Sequence, residues 1–258
     1  MAAALEADYI LLGEVHDNLE GHARRFAWLR ALPDGPRRAL VFEQFDLEHQ
    51  GAIIRWRDAN RNARGAGAAR ELAQAGGFAF DAWRYEAYGP AIELALERGW
   101  DIRAGNLSRA DAMRIARDPS AATAPPAGWS GLGDAALEAA VRKGHCGLVP
   151  ESRVPAMALA QRSRDAGMAQ AMRAARADGA RQVILLAGNG HVRRDHGVPA
   201  HLRGAQPDAR IMSLGFVEAG AEGDAEAYDA IDKVPPVDRP DPCAELRERF
   251  GSPRKSGG

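Results

Sequence analysis

Three observations predict an α/β fold for this chain: a mostly parallel sheet flanked by helices, with a smaller helical subdomain. Short apolar runs bounded by glycine recur along the sequence, as buried parallel strands do. Helical patterns alternate with these runs, and such alternation builds a parallel sheet with right-handed crossovers. Two of the runs also end in the same phrase. Tyr9-Ile10-Leu11-Leu12 leads into Gly13-Glu14-Val15-His16, and Val183 to Ala187 leads into Gly188-Asn189-Gly190-His191. Ligands of open parallel sheets sit outside the carboxyl ends of the strands, so two such ends can deliver two histidines to one site.

The elements follow in order. After the first strand, Tyr9–Leu12, the stretch Leu19–Leu32 is an amphipathic helix with His22, Phe26 and Leu29 on one face. Asp17 and Glu20 suit its first turn as cap and dipole partner. The second strand, Ala39–Phe42, puts Glu43 at its carboxyl end. Pro90 opens a further helix that Gly99 closes, and the third strand, Asp101–Ala104, leads to Asn106. Val183–Ala187 and Ile211–Phe216 complete the strand set. Two strand-free stretches, about 48–88 and about 118–179, read as helical insertions that pack together as a cap. Residues 1–219 then form the α/β domain, and 220–258 an irregular C-terminal segment with disorder over Ser252–Gly258.

Bulk composition narrows the function classes. The chain has 258 residues, enough for one large α/β domain, and is 46% hydrophobic and 27% charged with a formal net charge of −1. A folded chain without basic excess is not a nucleic-acid binder. The two cysteines, Cys146 and Cys243, form no C-x-x-C; one disulfide between them is compatible with the sequence and not required by it. No run reaches transmembrane length. Met1–Glu6 lacks a basic n-region, an apolar h-region and a lipid-bearing cysteine. As written the chain reads as cytoplasmic; had a leader been removed, it would be exported.

The polar residues fall on one rim. Glu14, His16, Glu43, Asn106, Asn189 and His191 all stand at carboxyl ends of strands. A charge such as Glu43 beside an apolar strand is costly without a partner, so it pairs with a cation such as Arg103 or joins a site. Glu14, His16, Glu43 and His191 together supply two imidazoles and two carboxylates. That set suits Zn²⁺ or a similar divalent ion. It equally suits general acid–base work, in which a metal-dependent hydrolase would use these four as catalytic residues. The plain reading is hydrogen bonding to loop backbone. His22 is either a core histidine or part of the site. His145, beside Cys146, either reaches the rim or caps a helix. Tyr85 and Tyr88 follow Trp83, and a phenolate can be an axial haem ligand; otherwise this segment is a hydrophobic helix entry. Arg193, Arg194 and Asp195 either clamp an anion or form a surface ion pair. His49, His196 and His201 read as surface or loop residues.

Together these phrases resemble a known family. Gly13-Glu14-Val15-His16-Asp17-Asn18 with His22, then Phe42-Glu43-Gln44-Phe45, resemble the opening of the ChaN-like haem-binding family. Gly188 to Asp195 with Gly197-Val198-Pro199 resembles its late signature. Trp83 to Pro90, Asn106-Leu107, His145-Cys146 and Arg164-Asp165 fit the same context. The resemblance implies haem binding linked to iron uptake, within the wider Tiki superfamily of erythromycin-esterase-like and metalloprotease relatives. It implies haem at a homodimer interface, with Tyr85 or Tyr88 as iron ligand and His145, Arg193 and Arg194 around it. A third reading is a non-catalytic module that binds a small molecule.

Overall fold

In the computed structural model, residues 2–250 are described; the disorder expected over 252–258 lies outside them. The chain begins α1 (Ala2–Glu6), β1 (Tyr9–Leu12), α2 (Leu19–Arg30), β2 (Arg38–Asp46), α3 (Gln50–Ala59), α4 (Gly65–Ala75), α5 (Gly89–Glu97) and β3 (Asp101–Asn106). It continues α6 (Arg109–Arg117), α7 (Gly131–Gly144), α8 (Val154–Ala177), β4 (Gln182–Leu186), α9 (Val198–Ala205), β5 (Ile211–Glu218), β6 (Ala230–Val234) and α10 (Pro242–Phe250).

Six strands form one sheet in the order β3-β2-β4-β1-β5-β6, and every neighbouring pair is parallel. The central strands are buried on both faces, so their sequences are continuously apolar. β1 and β4 lie side by side, with Leu12 level with Leu186. The chain leaves β1 toward β2 on one side and leaves β4 toward β5 on the other. The crevice between their carboxyl ends is therefore the topological switch point, where ligands of such sheets bind.

Side chains alternate across the sheet and define two cores. Ile10, Leu12, Leu40, Phe42 and Ile184 pack with Leu29 of α2, Leu72 of α4 and Ile92 of α5. Tyr9, Leu11, Val41 and Leu185 pack on the other face with Met168 and Met172 of α8 and Leu202 of α9. This corrects the expected joint cap. The first insertion joins one face of the sheet, and α8 of the second lies on the opposite face. The reason is burial: each insertion carries its own apolar stripe, and each sheet face has apolar area to cover. The smaller helical unit is local. Leu137 and Val141 of α7 meet Val154 and Ala158 of α8, and Ile115 of α6 meets Ala160.

Two further details depart from the sequence reading, and the disulfide it left open is formed. Asn18, not Asp17, caps α2, accepting the Gly21 N–H at 2.8 Å, while Asp17 pairs with Arg239. The segment expected to be irregular contains β6, a sheet edge whose Asp232 and Lys233 break the apolar pattern; polar residues are usual on exposed edges. Cys146 and Cys243 are disulfide-bonded, with Cα atoms 5.6 Å apart, which ties the end of α7 to α10. Among the described residues, no helix is long and apolar enough to cross a membrane.

Candidate functional site

The first G-x-x-H end is organised around a buried carboxylate. Glu14 is 3% exposed. Its Oε1 accepts the Tyr88 hydroxyl at 2.6 Å and the His16 Nδ1–H at 2.8 Å. Its Oε2 forms an ion pair with Arg25, itself buried. Arg25 also donates to His22 Nδ1 at 2.8 Å, so His22 carries its proton on Nε2 and donates it to the His16 carbonyl at 3.1 Å. Burial lowers the pKa of His22, and Arg25 adds to that effect against the pull of Glu14. Burial would raise Glu14, but Arg25 and then the His16 bond overrule it and hold the carboxyl down at about 2. A carboxylate out of water costs several kcal/mol unless paired in this way.

The second end is organised around a buried imidazole. His191 donates from Nδ1 to Asp165 Oδ1 at 2.6 Å, and its Nε2 lies 3.4 Å from Glu43 Oε1. The Gln161 amide nitrogen is 3.1 Å from Nε2. Glu43 accepts the Gly188 N–H at 2.7 Å through its other oxygen. Burial alone would lower the pKa of His191; Glu43 and Asp165 reverse this and push it up to about 10, so the ring is an imidazolium at neutral pH. Burial raises Asp165 against the opposing charge of His191. Glu43 stays below its ordinary value despite burial because His191 and His16 face it.

The backbone makes this convergence possible. Between Phe42 and Asp46, β2 runs four residues while β3 runs only from Ala104 to Asn106. This irregularity lets the adjacent Glu43 and Gln44 serve different ends of the site, Glu43 toward His191 and Gln44 toward Glu14. The two glycines permit close approach. A Cβ on Gly13 would lie 2.0 Å from Asn189 Oδ1, and one on Gly188 would lie 2.9 Å from His16 Cε1.

His16 is the accessible member of this layer. Its side chain is 49% exposed, and its ring meets Trp83 edge-on at 4.9 Å. Nδ1 is engaged by Glu14, and Nε2 has no hydrogen-bond partner among the described residues. Burial opposes charge on this ring, but the Glu14 bond and the Glu43 charge raise its pKa above the ordinary imidazole value. A carboxylate behind Nδ1 fixes the tautomer and makes Nε2 the better ligand or base.

The other residues singled out in the sequence are placed as follows. Tyr88 is fully buried; burial and Glu14 raise its pKa, so it is a neutral donor rather than a phenolate. The Tyr85 hydroxyl is buried without a partner, its ring packed by Phe78 and Phe80 and topped by Arg70. Neither tyrosine offers its oxygen to solvent in this structure, where the aromatic cluster fills the core under the rim. His145 donates to the Val141 carbonyl at 2.8 Å and serves as the C-cap of α7. Arg193 forks onto Asp195, and Arg194 pairs with Asp229. Burial would raise Asp195, but His196 and Arg193 hold it below its usual range. Asn106 accepts from Arg164 at 2.7 Å. Asn189 ties the rim together, donating to the Phe216 carbonyl and, from its backbone, to that of Glu14. Arg103 pairs with Asp101 and Asp178 instead of Glu43. His196 lies in the loop before α9, as a loop residue was expected to, but is buried; His201 is buried within α9 and is neither a surface nor a loop residue.

The four residues proposed for Zn²⁺ are split between two hydrogen-bonded clusters. Among the described residues, no three His, Cys, Asp or Glu side chains are grouped so as to hold a metal ion. The oxygens of Glu14 and Glu43 are taken by Arg25, Tyr88, Gly188 and His191.

Sequence reading missed Arg25, Asp165, Gln161 and Gln44 as members of the layer. Arg25 had a signal: it stands three residues after His22 and four before Leu29, on the apolar stripe of α2. Asp165 stood out only through the family resemblance and Gln161 not at all, because the long α8 meets the rim only in three dimensions.

A family described as haem-binding uptake, Tiki superfamily, ChaN matches residues 1–202. No curated protein matches the chain in sequence. The solved structure titled as cofacial heme binding to ChaN of Campylobacter jejuni superposes with a TM-score of 0.74 at 21% identity, covering 88% of this chain and 87% of that one. That likeness is one of fold. The type III effector HopBA1 superposes at a TM-score of 0.47 with 16% identity, over 91% of this chain and 90% of its own. An erythromycin esterase in its open conformation follows at 0.44 and 14%, over 84% and 72%. With the family matched over most of its length, the chain belongs to the ChaN haem-binding uptake family of the Tiki superfamily.

Proposed function

We propose that this protein binds haem in iron or haem uptake, with His16 at the rim as the iron ligand. Family membership supports haem as the ligand. The observation that carries the residue assignment is the half-exposed His16 ring, held by Glu14 through Nδ1 beside Trp83, with Nε2 unengaged. A neutral imidazole nitrogen is a haem iron donor, and a carboxylate behind it raises its basicity. Trp83 offers an aromatic edge for a flat macrocycle. Bound haem would supply a redox-active, strongly absorbing iron centre; the chain supplies the donor and its orientation.

Hemin titration tests this. The untagged protein should shift the Soret band to a saturating endpoint, and His16→Ala should weaken or abolish that shift while Tyr85→Phe retains it. An unchanged titration in His16→Ala would remove His16 as the ligand; no shift in the native protein would remove haem itself. Light scattering with and without hemin reads whether two chains share the ligand. The disulfide supports an oxidising compartment, because such bonds persist outside the reducing cytosol.

A second reading has one observation in its favour. His16, an accessible imidazole, faces the same layer as the imidazolium His191, so a base and a fixed positive charge share one rim. Hydrolysis of small esters with His16 as general base follows from this arrangement. Turnover that disappears in His16→Ala and persists in the haem-free protein would establish it.

A further inference from the structure

A wide cleft lies at the end of the sheet opposite the rim. It opens at the amino ends of β1, β4 and β5, between α8, α9 and the loop around Pro126, with a volume of about 1150 Å³. Ligand cavities commonly measure about 300–1,000 Å³, so the space suffices for a small molecule. Four guanidiniums, from Arg173, Arg176, Arg181 and Arg210, line it against the carboxylates of Glu6 and Asp8. Asp8 is already committed: it pairs with Arg176 at 3.1 Å and with Arg210 at 3.6 Å. Arg173 and Arg181 are exposed on the wall with no carboxylate partner among the described residues.

An independent observation points to a ligand. His201 lines the same cleft, is only 6% exposed, and its buried Nε2 has no hydrogen-bond partner. Leaving a buried polar atom unpaired is costly, a cost that a bound group reaching it would relieve. Guanidinium forks match the oxygens of carboxylates and phosphates. We infer that this cleft is a second binding site, for a small organic polyanion held by Arg173 and Arg181 with His201 Nε2 at its inner wall. The ligand class is a di- or tricarboxylate or a phosphate ester. α8 touches both sites, through Gln161 and Asp165 at the rim and Arg173 in the cleft, so the two ligands would share one helix.

Calorimetric titration of the full chain with citrate and, separately, with inorganic pyrophosphate tests the site at matched ionic strength. Saturable one-site binding of either probe, weakened about tenfold or more in Arg173→Gln/Arg181→Gln, is the expected result. The probe that binds names the oxyanion. His201→Gln, which keeps a polar group in place, should change affinity while retaining the native melt. The hemin titration serves as an internal control, because the arginine variant leaves the rim intact. Absence of saturable binding with both probes, or equal affinity in the arginine variant, would overturn the inference without touching the haem reading.

Discussion

The two G-x-x-H ends share a phrase and have opposite electrostatic designs. At the first, an anion is buried at the centre: Glu14 is surrounded by Arg25, Tyr88, His16 and His22. At the second, a cation is buried at the centre: His191 is flanked by Asp165 and Glu43. The histidine of the first end is therefore peripheral and half-exposed, whereas that of the second is structural and enclosed. A motif thus specifies where a side chain enters a site, while the neighbours decide whether that side chain reacts with a ligand or holds the fold.

The largest effect should come from unbalancing the first end. Arg25→Met leaves Glu14 buried without its cation and should cost about 3–5 kcal/mol in urea denaturation. The double variant Glu14→Gln/Arg25→Met should recover much of that loss, because it removes both charges. A single variant with native stability would contradict a buried ion pair.

The second end should reveal itself through pH. The folded pKa of His191 is raised to about 10, above the ordinary 6.5. Its contribution is therefore complete below pH 6.5 and is lost as pH rises from there toward 10. At about 1.4 kcal/mol per pKa unit, the loss should be on the order of 5 kcal/mol. His191→Asn should flatten that alkaline limb. A limb that persists in this variant would assign it to another group.

The smallest stability effect belongs to the accessible histidine. His16→Ala removes one bond to Glu14 but leaves Arg25 and Tyr88 in place, so thermal unfolding should register less than about 1 kcal/mol. Hemin binding should fall sharply in the same variant. Large destabilisation would make His16 a structural residue like His191 and erase the contrast between the ends.

Much of this was legible in the residues themselves. Apolar runs identified five strands, because a strand buried on both faces needs a continuous hydrophobic stretch. β6 escaped because an edge strand is selected for polarity as well as pairing. The rim positions of Glu14, His16, Glu43 and His191 followed from strand direction alone. Their roles did not. Nothing local says that Glu14 faces Arg25, that Tyr88 spends its hydroxyl on that carboxylate, or that Asp165 arrives from α8.

Local sequence determined the alternation of elements, the parallel sheet and the rim on which the polar residues stand, since periodicity and strand direction are properties of neighbouring residues. Tertiary structure alone decided which face each insertion covers, which charges meet and which histidine remains open. Protonation depends on burial and on charges a few ångströms away, and those neighbours come from β2, α2 and α8, segments far apart along the chain.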